Sequence, residues 1–192
     1  MKKRIFLIHG WGGYPEEGWR PWLKNELSSR GFEVFVPEMP DTNSPKMNAW
    51  LELLSTLVGN PNKQCFFVGH SLGVITILRY LESLTDEQEI GGAVFVAGFT
   101  DDKIKLGETE NIDDIRNFFQ TPLDFEKIKK HCSKFVTIQS DDDPYVDLHY
   151  GDILKEKLNA ELIVEHAMKH FSGDDGITQL PHALESVIKI SS

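Results

Sequence analysis

The chain has 192 residues, 40% of them hydrophobic and 10% aromatic, and a formal net charge of −10. That length fits one domain with a single core, and the apolar fraction argues against disorder. The negative balance argues against a nucleic-acid partner, which needs a cationic face, and against docking on anionic membranes.

The N-terminus reads Met1-Lys2-Lys3-Arg4 and then Ile5-Phe6-Leu7-Ile8. A basic start before an apolar run has the outline of a signal peptide. The run stops at His9 and a glycine-rich loop, however, which is too short for an exported segment. No stretch approaches the roughly 18 apolar residues of a membrane helix. Cys65 and Cys132 suggest neither a disulfide framework nor a zinc cluster, so the expected location is the cytoplasm.

Strand-like apolar runs alternate with helical patterns, the signature of a parallel sheet covered on both faces. In chain order they are a strand over 5–8, a glycine-rich loop over 10–18, a helix over 20–29 with Pro21 in its first turn, and a strand over 33–36. A proline-punctuated loop leads to a helix over 46–58, where Met47, Trp50, Leu51, Leu54 and Val58 recur at helical spacing. A third strand over 65–68, a helix over 72–83 and a fourth strand over 92–96 follow. The segment 98–132 is charged and lacks a strand pattern. It reads as irregular with short helices, a small cap over the end of the sheet. A strand over 135–139, a helix over 151–158, a strand over 162–164 and a helix over 182–190 complete a single domain spanning 1–192.

Gly69-His70-Ser71-Leu72-Gly73 matches G-x-S-x-G between a strand and a helix. A sharp strand-to-helix turn lifts the middle residue, Ser71, to the helix N-terminus as a nucleophile. There the dipole and the amide of Leu72 favour developing negative charge. A phosphate loop would need Gly-Lys-Ser/Thr or G-x-G-x-x-G after a strand, and neither occurs. His70 is adjacent in sequence but points away from the serine at such a turn, so it is assigned to packing. His9-Gly10-Trp11-Gly12-Gly13 follows the first strand directly. Acyl transfer needs a second N–H facing the oxyanion, and the Trp11 amide is the candidate.

These two motifs, with the acid and base segments below, resemble the α/β-hydrolase superfamily. In detail the chain is similar to the small retinoblastoma-binding serine hydrolase family and its bacterial YdeN-type members, from residue 5 to about 190. The resemblance implies an α/β-hydrolase fold with a mostly parallel six-stranded sheet that lacks the superfamily's first two strands. The Leu-x-Cys-x-Glu motif of retinoblastoma binding is absent around both cysteines, so that partner is not carried over.

Chain order in these hydrolases runs serine, acid, histidine. The fifth strand is followed by Ser140-Asp141-Asp142-Asp143-Pro144-Tyr145-Val146-Asp147, and spacing alone leaves the acid open among three neighbouring aspartates. The resemblance places the acid directly before Pro-x-Val, which selects Asp143. Asp147 replaces the usual following proline and keeps Asp142 in play. A calcium loop is disfavoured because Val146 stands where its glycine would be.

Four histidines remain for the base: His149, His166, His170 and His182. The family's histidine precedes Phe, which selects His170, although Lys169 replaces the usual preceding glycine. His166 and His170 have the spacing of a metal pair but lack the glutamate of H-E-x-x-H. The expectation is a serine esterase acting on small-molecule esters of small or medium acyl groups, with a Ser71-His170-Asp143 triad and no metal or organic cofactor. The competing reading is a catalytically silent protein-binding module on the same fold.

Overall fold

Side chains alternate across the first strand, β1 (Arg4–Ile8): Ile5 and Leu7 enter one apolar core, Phe6 and Ile8 the other. A strand buried on both faces must be central, and it is. The computed structural model describes residues 2–107 and 111–192. Its six strands are β1, β2 (Glu33–Phe35), β3 (Cys65–His70), β4 (Gly92–Val96), β5 (Phe135–Ser140) and β6 (Glu161–Glu165). They form one sheet in the order β2-β1-β3-β4-β5-β6, and every pairing is parallel.

Helices α1 (Arg20–Ser29) and α7 (Pro181–Ser191) cover one face through Leu23, Leu27, Ala183, Val187 and Ile190. The opposite face is covered by α2 (Met47–Val58), α3 (Leu72–Ser83), α5 (Phe125–His131) and α6 (His149–Leu158). Each large apolar side chain taken wholly from water contributes about 1.5–3 kcal/mol. The two cores therefore clamp the sheet from both sides.

The chain runs outward from β1 to β2, then returns to β3 and continues to β6. Winding reverses at β1, so a crevice opens at the C-terminal ends of β1 and β3. The two sequence motifs sit at those ends.

Strand and helix limits depart from the sequence reading where partners outweigh local pattern. The third strand extends past Val68 because Gly69 pairs with Ile8 and His70 with Val96. The second stops at Phe35, the last residue in register with β1. The sixth gains Glu161 and Glu165 from its ladder with β5. Helix α6 begins two residues early at His149, after a turn closed by Tyr150 N–H on the Asp147 carbonyl at 3.1 Å. Helix α2 begins at Met47, whose N–H is capped by Asn117 Oδ1 at 2.7 Å.

The segment 98–132 holds α4 (Ile112–Ile115), a 3₁₀ turn (Arg116–Phe118) and α5; its residues 108–110 lie outside the described residues. Ile115, Phe118 and Ile128 are buried in the same core as Trp50, and Phe118 meets the Trp50 ring edge-on. Ile104 and Lys105 of this segment border the crevice.

Candidate active site

Between β3 and α3 a single residue, Ser71, makes the turn, with φ 53° and ψ −120°. A non-glycine residue in such a conformation costs on the order of 1–3 kcal/mol and persists only where its surroundings over-determine it. Here Ser71 N–H donates to the Val96 carbonyl and the Ser71 carbonyl accepts from Val74 N–H, both at 2.9 Å. Gly73 lets α3 press on β1: a Cβ there would stand 2.3 Å from the Ile8 carbonyl oxygen. Gly10 lies against the serine, where a Cβ would stand 3.0 Å from Ser71 Cβ.

The His170 imidazole bridges two loops. Its Nε2 lies 3.0 Å from Ser71 Oγ and its Nδ1 lies 2.8 Å from Asp143 Oδ2. The Asp143 side chain is fully buried, and its Oδ1 accepts from the N–H groups of Tyr145 at 2.9 Å and Val146 at 3.0 Å. A carboxylate so held presents one oxygen to the ring and selects the tautomer with the proton on Nδ1. Nε2 is then left with a lone pair facing the serine hydroxyl. The Tyr145 ring edge meets the imidazole at 5.1 Å between centroids.

The neighbouring aspartates point elsewhere. Asp142 Oδ1 accepts from Ser140 Oγ at 2.7 Å and from Lys169 N–H at 2.8 Å. Asp141 Oδ2 meets His166 Nδ1 at 2.5 Å, and its Oδ1 accepts from Ala167 N–H at 3.3 Å. Asp147 accepts from the N–H and ring of His149. The bond to Asp141 raises the pKa of exposed His166, and the bond to Glu165 raises that of His182. His149, His166 and His182 are thus each paired with a carboxylate of their own, away from Ser71.

His70 is buried, as packing requires, but it does more than fill space. Its Nε2 donates to the His170 carbonyl at 2.7 Å, and the two rings lie 5.0 Å apart. Burial, then the nearby His170, pushes its pKa well below the usual histidine range. His9 is buried too and its pKa is lowered by burial; its Nδ1 donates to the Gly10 carbonyl and its Nε2 accepts from Met39 N–H at 3.0 Å. It braces the loop after β1.

Among the described residues, the amides of Trp11 and Leu72 have no protein acceptor. Trp11 lines the crevice over Ser71, a cleft of about 290 Å³ also walled by Tyr14, Ile104, Tyr145 and Val146, and Leu72 follows Ser71 as the first residue of α3. No group of three or more potential metal ligands occurs among the described residues.

The sequence reading missed what supports the loop that carries His170. Lys169, at the glycine position of the resembled family, has φ 47°, a conformation that glycine takes freely. Ser140 and Asp175 also hold this loop. The visible clue was Ser172 and Asp175 three apart, the spacing of a local side-chain-to-backbone turn.

With this geometry in place, comparison with known proteins is direct. The sequence matches the serine hydrolase family over residues 5–189. The chain belongs to the serine hydrolase family. It is an enzyme of the hydrolase class with the α/β-hydrolase fold. It is 32% identical over 181 residues to YdeN of Bacillus subtilis (strain 168), covering 94% of this chain and 92% of YdeN. The crystal structure of the ydeN gene product superposes with a TM-score of 0.90 at 29% identity, covering 98% of each chain. The serine hydrolase RBBP9 of Rattus norvegicus is 27% identical over 168 residues, 87% of this chain and 85% of RBBP9. A crystal structure from a study of carboxylesterases of Nitrososphaera gargenis shares the fold at a TM-score of 0.72 and 16% identity, over 99% of this chain and 91% of its own. No helix among the described residues is long and apolar enough to cross a membrane.

Proposed function

We propose that this serine hydrolase is a carboxylesterase acting on esters of small or medium acyl groups, with Ser71 as nucleophile, His170 as general base and Asp143 orienting the imidazole. The observation that carries it is the relay of 3.0 Å from Ser71 Oγ to His170 Nε2 and 2.8 Å from His170 Nδ1 to Asp143 Oδ2. Ser71 Oγ attacks the ester carbonyl as its proton passes to Nε2. The imidazolium that forms is stabilised by the buried Asp143 carboxylate. The unused amides of Leu72 and Trp11 donate to the oxyanion, where fixed donors act without reorganisation. His170 then protonates the leaving alcohol, and water repeats the steps to release the acid and free Ser71.

The cleft of about 290 Å³ sets the substrate scale, and its aromatic walls suit an apolar acyl or alcohol group. A cytoplasmic small-molecule ester is consistent with two buried, unbridged thiols. The test is labelling with a fluorophosphonate probe alongside hydrolysis of p-nitrophenyl acetate. Wild-type protein labels and turns over, and Ser71→Ala does neither. Folded wild-type protein that stays unlabelled overturns the reading in favour of a silent binding module.

A further inference from the structure

The loop carrying His170 has a backbone that its sequence does not favour. Ala167, Lys169 and Phe171 all have positive φ, at 56°, 47° and 57°. No glycine occurs between positions 167 and 172. L-residues rarely adopt this conformation even singly, because Cβ crowds the following carbonyl. Such a loop needs something outside itself to hold it.

What holds it is an unbroken series of acceptors for its N–H groups. Ala167 donates to Asp141 Oδ1 at 3.3 Å, Met168 to Ser140 Oγ at 3.1 Å and Lys169 to Asp142 Oδ1 at 2.8 Å. His170 donates to Asp175 Oδ2 at 3.1 Å, Phe171 to the Met168 carbonyl at 2.9 Å and Ser172 again to Asp175 Oδ2 at 3.1 Å. Alternating left-handed residues turn successive N–H groups toward a common concavity, a shape that accepts anionic oxygens. Here the anions are side chains of the protein itself.

Two acceptors bear directly on the imidazole. Asp175 takes the N–H of His170, and its side chain is only 16% exposed. The same oxygen accepts from Ser172 Oγ at 2.7 Å, so its direction is fixed. Asp142 takes the N–H of Lys169, the residue whose strained φ aims the next one. On the other side of the His170 Cα, its carbonyl accepts from His70. Both peptide planes flanking His170 are therefore pinned.

We propose that Asp142 and Asp175 are positioning residues that replace a glycine in the base loop: their carboxylates hold Lys169 and His170 in the backbone conformation that keeps the imidazole between Ser71 and Asp143. The proposal rests on His170 being the base. It assigns different work to adjacent aspartates, since Asp143 touches the ring, whereas Asp142 touches the backbone that carries it and the Ser140 hydroxyl.

The experiment measures p-nitrophenyl acetate hydrolysis and thermal melting for Asp142→Ala, Asp175→Ala and His170→Ala, all well below the melting temperature. Asp142→Ala and Asp175→Ala lower kcat by about 10- to 100-fold, the scale of a misplacement near 1 Å, while KM stays within about twofold. Introducing Lys169→Gly into Asp142→Ala recovers most of the lost kcat, because glycine takes positive φ without support. Lys169→Ala in the same background does not, which separates backbone conformation from the lysine side chain. Should an alanine variant not fold, Asp142→Asn and Asp175→Asn keep one acceptor oxygen at the same reach and show the same kcat-selective loss to a lesser degree. Inactive His170→Ala with full kcat in the Asp142 and Asp175 variants overturns the positioning role alone. So does an Asp142→Ala loss that Lys169→Gly leaves unrecovered. Wild-type kcat in His170→Ala overturns the base assignment, and the positioning role with it.

Discussion

At the elbow one residue, Ser71, carries the positive φ, and glycines clear the space around it. In the loop carrying His170 three residues carry it, with no glycine among them, and the carboxylates of Asp142 and Asp175 supply the support. The elbow's problem is steric, since α3 must approach β1 to where a methyl group would meet the Ile8 carbonyl oxygen. Only the absence of a side chain solves that, so it is written locally as Gly-x-Ser-x-Gly. The His170 loop's problem is conformational, and hydrogen bonds to the loop after β5 and to Asp175 solve it. The part that comes from the loop after β5 leaves no local motif.

The largest effects should come from the atoms that join the two regions. Ser71→Ala and His170→Ala should each lower kcat by about 10⁴-fold or more, measured by ester hydrolysis, as expected for groups that act as a unit. Asp143→Asn should follow at about 10³- to 10⁴-fold with the fold intact by circular dichroism, because an amide can offer an N–H to the ring and select the wrong tautomer. If Asp142→Asn is the dead variant instead, the division of labour among the aspartates is wrong.

Glycine substitution sharpens the contrast. Gly73→Ala should destabilise by about 3 kcal/mol or more, lowering the melting temperature by about 10 °C, because the new Cβ has backbone on its far side rather than a flexible side chain. The reciprocal change in the base loop, Lys169→Gly, should shift melting by no more than about 3 °C. Relief of the left-handed strain there offsets the greater freedom of glycine in the unfolded chain. A Gly73→Ala protein as stable as wild type would remove the steric account of the elbow.

His9 and His70 give both loops a shared acid sensitivity. Their pKa values are lowered in the folded protein, chiefly by burial, from an ordinary value of about 6.5. As pH falls below that value the unfolded chain binds protons that the folded chain refuses. Stability is therefore full above about pH 6.5 and declines below it, with a slope approaching 1.4 kcal/mol per pH unit for each histidine. Denaturant melts at pH 7.5 and 5.5 measure this, and a stability that rises on acidification would contradict it.

The smallest effect belongs to the outer end of the base loop. His166 is exposed and meets only Asp141, which raises its pKa. Whatever that ion pair contributes is present at low pH and lost as pH rises through the raised value, and exposed pairs contribute little. His166→Ala should retain most of the wild-type kcat and melt within about 2 °C of it. A dead His166→Ala would mean that the base had been assigned to the wrong histidine.

The sequence by itself determined the class of fold and the place of Ser71 at the turn between β3 and α3. Buried parallel strands appear as short apolar runs, and helices as 3.6-residue repeats, because burial acts on each side chain independently and locally. Strand limits were less legible: Gly69 and His70 extend β3 only because β1 and β4 offer partners on both sides. The sequence offered three candidate aspartates and four candidate histidines. The tertiary structure showed which pair meets, with Asp143 and His170 in contact and the other carboxylates turned to backbone or to other rings. The contacts of Asp142 and His70 with the backbone around His170 were visible only there, whereas Asp175 had a local clue in its spacing from Ser172. A hydrogen bond between loops 27 positions apart in sequence, such as the one from Lys169 to Asp142, is set by how β5 and β6 pack side by side, and no local pattern of residues encodes it.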